Sequence, residues 1–504
     1  MDTLQSIGFG FSVFLTPMNL YYCFVGVFLG TLVGVLPGIG TTGCIAILLP
    51  FSFGLPPVTA IAMLAGVWYG GMYGGSTTSI LVNIPGEPCS VITCLDGYQM
   101  ARQGRAGRAL GISAIGSFIA GTIGVVLLML LTPMLARFAL LFGPTEFFSL
   151  IFLVLTLSAY LTSGSLLKGF VMVAFGMIIG TIGQDHTSGF FRFTFGIREL
   201  FDGVDLVPIV MGLFGVAEVM INLEEVFKRD IFKAHIGGLL PDKGDMKASA
   251  GPIARGSLLG FFIGILPGCS GMIPTFISYA VEKRISKHPE KFGKGAIEGV
   301  AGPESANNAA GAGAFVMLLT FGIPSGASMA LLLGALMIHG ISPGPLLIQE
   351  HPEVFWGLIV SMYMGNIMLL ILNLPLIGLW VKLLKTPYGF LFPLILLFCL
   401  IGVYCNNNSF FDITIMILFG LIGYLMRKTE FDAPPLILAY ILCPIWEESF
   451  RRALLISSGD LTVFFKRPIP VILFTIGFLL ILSSIFSSAK KKKLLERIGE
   501  GGEN

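Results

Sequence analysis

Charge is what this sequence has least of. Asp, Glu, Lys and Arg make up 12% of its 504 residues against 55% hydrophobic residues, and mean hydropathy is +0.87. A chain this apolar has more hydrophobic surface than a soluble globule could enclose, so it reads as an integral membrane protein. The net charge of +2 is spread over a few loops and Lys490, Lys491, Lys492 and Lys493. No basic face remains for nucleic acid, and the lysine run predicts a cytoplasmic tail. The first nineteen residues contain no Lys or Arg, so the positive start of a cleavable signal peptide is missing and the first apolar span, from about Leu20, is expected to be retained. The eight cysteines are scattered singly, with no zinc-site spacing, which predicts small apolar packing residues. A His-Glu-x-x-His motif is missing, and nothing couples Asp185, His186 or His339 into a nucleophile and base. An intramembrane enzyme, whether protease or lipid-modifying, is therefore only an alternative. The alternating ten-residue pattern of a membrane barrel is lacking too, leaving helices.

What is present is a series of apolar runs, among them 109–131, 147–161, 354–374 and 470–486. Each is close to the length that crosses about 30 Å of hydrocarbon. The chain is organised around a repeat. Gly30, Gly34, Leu36, Pro37 and Gly38 recur as Gly260, Gly264, Leu266, Pro267 and Gly268, an offset of 230. A second pattern, Asn83-Ile84-Pro85-Gly86, recurs as Gly322-Ile323-Pro324-Ser325, an offset of 239. The dense glycines from Tyr69 to Gly75, followed by Ser76, Thr77, Thr78 and Ser79, are expected to interrupt a helix. The polar stretch 302–311 is expected to do the same in the second half.

Loop charge separates a parallel repeat from an inverted one, because basic short loops favour the cytoplasm. Residues 51–60 carry no Lys or Arg, whereas the corresponding 282–294 carry Lys283, Arg284, Lys287, Lys291 and Lys294. The bias then flips: 96–108 contain three Arg, and 340–353 contain none, with Glu350 and Glu353 instead. Corresponding loops are thus expected on opposite sides, the signature of inverted-topology repeats with a site at the midplane. The predicted fold is an all-α polytopic membrane protein of roughly 10–12 spans with interrupted helices. Re-entrant hairpins are expected near 26–55 and 256–280. The predicted divisions are a first repeat over 20–223, a cytoplasmic linker over 224–255, a second repeat over 256–425, C-terminal spans over 426–488 and a basic tail over 489–504. Alternating access is favoured over a channel, for which a repeated acidic ring is lacking.

Broken backbone at membrane depth must line protein or a polar cavity. Freed N–H groups at half-helix starts suit a carboxylate, and freed carbonyls with hydroxyl or amide oxygens suit a hard cation such as Na⁺. The candidate substrate- or ion-binding residues are accordingly Pro37, Gly38, Ile39 and Gly40 at the first tip, and Pro267, Gly268, Cys269 and Ser270 at the second. Gly75, Ser76, Thr77, Asn83, Pro85 and Gly86 join them from the first half, and Ser305, Asn307, Asn308, Pro324 and Ser325 from the second. Taken singly, the hydroxyls and amides are better explained by helix packing. Glu304 stands apart, since an ionisable group beside a broken span is costly unless paired or used. Na⁺ is expected near the two tips with no ligand assigned, H⁺ is the alternative, and no other cofactor is implied.

These motifs, together with Tyr73-Gly74-Gly75-Ser76, the run Pro303-Glu304-Ser305-Ala306-Asn307-Asn308-Ala309-Ala310, and His339-Gly340-Ile341-Ser342-Pro343-Gly344-Pro345, resemble the large membrane subunit of the bacterial tripartite tricarboxylate transporters. The resemblance implies a multi-pass subunit in the bacterial cytoplasmic (inner) membrane. Its partners would be a small four-span membrane subunit and an extracytoplasmic solute-binding protein that delivers a carboxylate such as citrate. It also suggests Na⁺-driven uptake; elevator movement is expected by analogy with similar transporters, and a homodimer is compatible with this. Ser270 and Ser325 depart from the family pattern, where glycine is usual, which leaves open a substrate other than a tricarboxylate.

Overall fold

The computed structural model describes residues 3–36, 40–162, 165–185, 187–224, 238–269, 271–383 and 391–500. Pro37, Gly38, Ile39 and Ser270 lie outside the described residues, as do His186 and residues 225–237 of the linker. The chain divides into two compact units, Met1–Ala139 with Asp205–Leu425, and Leu140–Val204 with Met426–Asn504. Among the described residues the only strands are one short antiparallel pair. Among those residues five helices are long and apolar enough to cross a membrane, and seven further apolar helices run 10–17 residues.

The first unit opens with α1 (Thr3–Phe14), α2 (Pro17–Val35), α3 (Gly40–Ser52), α4 (Pro57–Val82), α5 (Val91–Arg102) and α6 (Ala106–Ala139). Helix α7 (Lys243–Ile265) begins inside the stretch 224–255, and α8 (Met272–Ile285), α9 (Glu298–Phe321), α10 (Ala327–Ile338) and α11 (Pro352–Asn373) follow. Helix starts follow local chemistry. Thr16 accepts a bond from the Asn19 N–H ahead of Pro17, and Asp242 with Asp245 forms a capping box at the start of α7.

Two expected interruptions are absent. Helix α4 passes unbroken through Gly70, Gly71, Gly74 and Gly75, and α9 passes unbroken through 302–311. Each glycine costs a helix about 1 kcal/mol against alanine, but here it admits another backbone. A Cβ at Gly70 would sit 2.5 Å from the Val27 carbonyl oxygen, and one at Gly74 would sit 2.3 Å from that of Thr31. Close helix contact offsets the propensity loss. The breaks fall where the Asn83 and Gly322 patterns begin: α4 ends on Asn83 at φ 59° and α9 ends on Gly322 at φ 67°, both left-handed.

The same packing occurs twice. Gly26, Gly30 and Gly34 of α2 meet the backbone of Met63, Val67 and Gly71 of α4. Gly256, Gly260 and Gly264 of α7 meet Gly302, Ala306 and Ala310 of α9. The first members are related by 230 and the second by 239, the offsets of the sequence motifs. The longer-range packing is reciprocal as well, with α6 against α9 and α7 where α11 lies against α4 and α2.

In the second unit, Pro144–Tyr160, Leu166–Gly180, Pro434–Ile456 and Pro468–Glu500 are the main helices. Phe148 stacks on Trp446 at 4.9 Å between ring centroids and also meets Phe464 and Phe474. A hairpin pairs Gly183–Gln184 with Phe191–Arg192. Beside it, Arg451 joins Asp185 at 3.0 Å and Glu447 at 2.6 Å, and Glu447 also holds Arg192. The Ser188 hydroxyl, the Thr187 N–H and Arg451 hold the Asp185 carboxyl well below the usual range.

Candidate functional site

At the first tip, α2 ends at Leu36 and α3 begins at Gly40, which takes φ +66°. The Thr78 hydroxyl, one turn before the end of α4, donates toward the freed carbonyls of Gly34 (3.3 Å) and Val35 (3.2 Å). Gly86 lies against the same end: a Cβ there would be 2.0 Å from the Gly34 oxygen, which no side chain tolerates. Gly75 closes the other side, where a Cβ would meet the Glu87 nitrogen at 3.1 Å. The Thr41 N–H, in the first turn of α3, donates to Glu87 Oε1 at 2.6 Å, so a carboxylate of the chain itself caps that helix start. The structure therefore brings Gly40, Gly75 and Gly86 together, while Asn83 and Pro85 stand exposed beside them.

At the second tip, α7 gives way at Leu266 to buried Pro267 and Cys269, with Gly268 at φ +78° and Gly271 at φ +114°. The Gly268 N–H donates to the Ser325 carbonyl at 2.9 Å. This ties the second tip to the 322–326 break, with Pro324 and Ser325 both buried. The two halves then cross. The hydroxyls of Thr42 on α3 and Ser328 on α10 are 2.7 Å apart. Gly271, ahead of α8, lies beside Cys89, with 3.6 Å separating the Cys89 Cβ from a Cβ built on the glycine. Ser328 and Cys89 are themselves 239 apart, so each half's second helix meets the segment that follows the other half's break.

A polar cluster lies on α9, within the same unit. Glu304 is 1% exposed. Its Oε2 accepts hydroxyl bonds from Ser76 at 2.5 Å and Ser113 at 3.1 Å, and its Oε1 accepts from Thr93. Three helices, α4, α5 and α6, thus each send one hydroxyl to a single carboxylate, which is how a buried acid avoids an unmet desolvation cost. Asn308 donates to the Ser117 hydroxyl at 2.7 Å and to the Glu304 carbonyl at 3.1 Å, and Ser305 donates to the Gly116 carbonyl at 3.3 Å. The bonds to Ser117 and Gly116 join α9 to α6. Asn307 differs: it is 1% exposed, and its amide meets no oxygen or nitrogen partner, only a thiol. The Cys89 thiol lies close to that amide. Thr77 is buried on α4.

Sequence reasoning missed Thr93, Ser113, Glu87 and Asp96. Asp96 is fully buried; its Oδ1 accepts from the N–H groups of Gly293 (2.9 Å), Gly295 (2.7 Å) and Ala296 (2.8 Å), and its Oδ2 accepts from the Tyr279 hydroxyl at 2.8 Å. One side chain on α5 thereby fixes both α8 and the turn leading into α9. A signal for this region was present: residues 1–101 and 295–381 contain no Lys or Arg at all. Glu87 and Glu304, in those stretches, have no Lys or Arg near them in sequence. Among the described residues no group of three or more His, Cys, Asp or Glu is arranged to hold a metal.

No solved structure matches the chain. An uncharacterized 52.8 kDa protein in the TAR-I ttuC' 3'region of Agrobacterium vitis is 49% identical over 493 residues, covering 98% of each chain. An uncharacterized protein in the TAR-II ttuC' 3'region of the same organism is 49% identical over 234 residues, which is 46% of this chain and 97% of that one. Residues 20–438 match the Tripartite tricarboxylate transporter TctA family. This chain, a multi-pass membrane protein, therefore belongs to the tripartite tricarboxylate transporter TctA family.

Proposed function

We propose that the chain is the translocating subunit of a cation-coupled uptake system for a tri- or dicarboxylate in the bacterial cytoplasmic membrane. The observation that carries this reading is the reciprocal crossing of two broken helix pairs, Thr42 against Ser328 and Gly271 against Cys89, in a unit that also holds the buried Glu304 and Asn307. Broken helices that meet across a repeat offer N–H groups to an anion and oxygens to a cation, as in secondary transporters. The repeats, 20–223 and 256–425, are of inverted topology in this reading, which rests on the loop charges and on packing that recurs at the same two offsets. Substrate comes from an extracytoplasmic solute-binding protein, and a small four-span membrane subunit completes the complex. Na⁺ drives uptake, and the two tips move together as an elevator.

The test is uptake of labelled citrate and other carboxylates by proteoliposomes containing the chain and both partners, under an imposed Na⁺ gradient. Accumulation beyond equilibration is expected. Uptake that never passes equilibration under any cation gradient overturns the reading. Sidedness is checked by single cysteines at Ile39 and Ser270 in a background without native cysteines: labelling from opposite faces is expected, and labelling from one face overturns the inversion.

A further inference from the structure

We propose that Glu304, with the hydroxyls of Ser76, Thr93 and Ser113 and the amide of Asn307, is the Na⁺ site of this protein. The inference deepens the proposed function and rests on it.

The first ground is charge. Helices α2, α3, α4, α9 and α10 contain no Lys or Arg, α5 and α6 carry theirs at Arg102, Arg108 and Arg137, of which Arg108 is taken up by Asp242 and Asp245, and Glu304 is bonded by side-chain hydroxyls alone. A carboxylate substrate entering such a region meets a buried negative charge with no basic side chain beside it. A bound monovalent cation removes that repulsion, so the cation becomes a condition of anion binding and coupling follows from electrostatics.

The second ground is geometry. Every donor around Glu304 is oxygen, the ligand type a hard cation takes. A hydroxyl has one proton and two lone pairs, so each can donate to the carboxylate without Na⁺ and turn a lone pair toward the ion with it. Ser76 shows how this is possible. Its Oγ lies 2.5 Å from Glu304 and also 3.2 Å from the Met72 carbonyl, so its proton keeps an acceptor after turning away from Glu304.

The third ground is Asn307. It lies three residues after Glu304 in the same helix, on the same face, and its amide is buried with no partner but the Cys89 thiol, a weak hydrogen-bonding group. Leaving such a group unmet is costly unless a ligand uses it. The amide oxygen supplies a further Na⁺ ligand, and the amide N–H₂ is left to donate to the substrate carboxylate. Asn308, with both a hydroxyl and a carbonyl to donate to, has no such role.

The experiment is direct ²²Na⁺ binding to the full-length chain in lipid nanodiscs at fixed neutral pH, which requires no knowledge of the carboxylate. Glu304→Gln is expected to weaken Na⁺ binding by about tenfold or more, and Asn307→Ala by a similar factor, as when metal-site partners are lost. Thr93→Val and Ser113→Ala, milder changes that cover the case in which Glu304→Gln does not fold, are each expected to weaken it about threefold. Wild-type Na⁺ affinity in folded Glu304→Gln, or unchanged affinity in both hydroxyl variants, overturns the proposal. So does a wild-type chain that binds no Na⁺, and if that chain still accumulates carboxylate on a proton gradient, the transport reading stands while the Na⁺ site falls.

Discussion

The two halves of the first unit share their packing and differ in their chemistry. Gly26, Gly30 and Gly34 meet Met63, Val67 and Gly71 as Gly256, Gly260 and Gly264 meet Gly302, Ala306 and Ala310. At the same offset of 239, Glu304 stands opposite Ala65, Asn307 opposite Trp68, and Asn308 opposite Tyr69. Glu87 has Gly326 as its counterpart, and Asp96 has Ala335. The glycines of α2 and α7 are kept in both halves, because a Cβ there would run into the carbonyl of the facing helix. Positions that hold buried charge occur once each, because a buried carboxylate needs its own set of donors and a second copy would need a second set. The repeat is therefore a scaffold, and the function is sought where the repeat fails.

The largest effect is expected where the comparison is closest. Gly30→Val and Gly260→Val each drive a side chain into a carbonyl oxygen, 2.3 Å away at Val67 and 2.2 Å at Ala306. Each is expected to cost on the order of 4 kcal/mol or more, seen as loss of the monodisperse peak in size-exclusion chromatography in detergent. Equal damage from both sharpens the equivalence; a tolerated valine in one half breaks it.

Asp96→Ala comes next, at about 3 kcal/mol, because it strands three backbone N–H groups and the Tyr279 hydroxyl. Thermal unfolding in detergent measures it, and Ala335→Ser at the counterpart position is expected to change the midpoint far less. A midpoint in Asp96→Ala equal to that of wild type would mean that the 293–296 turn holds itself.

The smallest effect tests the two helix ends. Gly322→Ala places a Cβ at positive φ and 2.8 Å from the Pro343 carbonyl, with an expected loss of about 1–2 kcal/mol. Asn83→Gly is expected to stay within about 0.5 kcal/mol of wild type, since glycine takes the same conformation freely. Denaturation in a graded detergent series compares them, and a larger loss at Asn83 would assign its side chain a contact beyond the helix cap.

Much of this was legible in the chain. The Asn83 and Gly322 breaks, the repeat offsets and Glu304 as the exceptional acid could each be read because they depend on local conformation or on the cost of charge in an apolar run. The interruptions expected at 69–79 and 302–311 are absent for a tertiary reason: glycines that weaken an isolated helix let two helices touch. Thr93 and Ser113 gave no local signal, since a hydroxyl in an apolar helix looks the same whether it bonds its own carbonyl or a carboxylate on another helix.

The sequence by itself determined that the chain lies in a membrane, that its motifs recur at two offsets, and that helices end at Asn83 and Gly322, because composition, spacing and left-handed residues act over a few neighbours. The tertiary structure decided which glycines are seams, which amide is left with only a thiol, and which three hydroxyls converge on Glu304 from positions 76, 93 and 113. Those outcomes depend on donors and acceptors brought together from distant helices, and no window of sequence contains both partners.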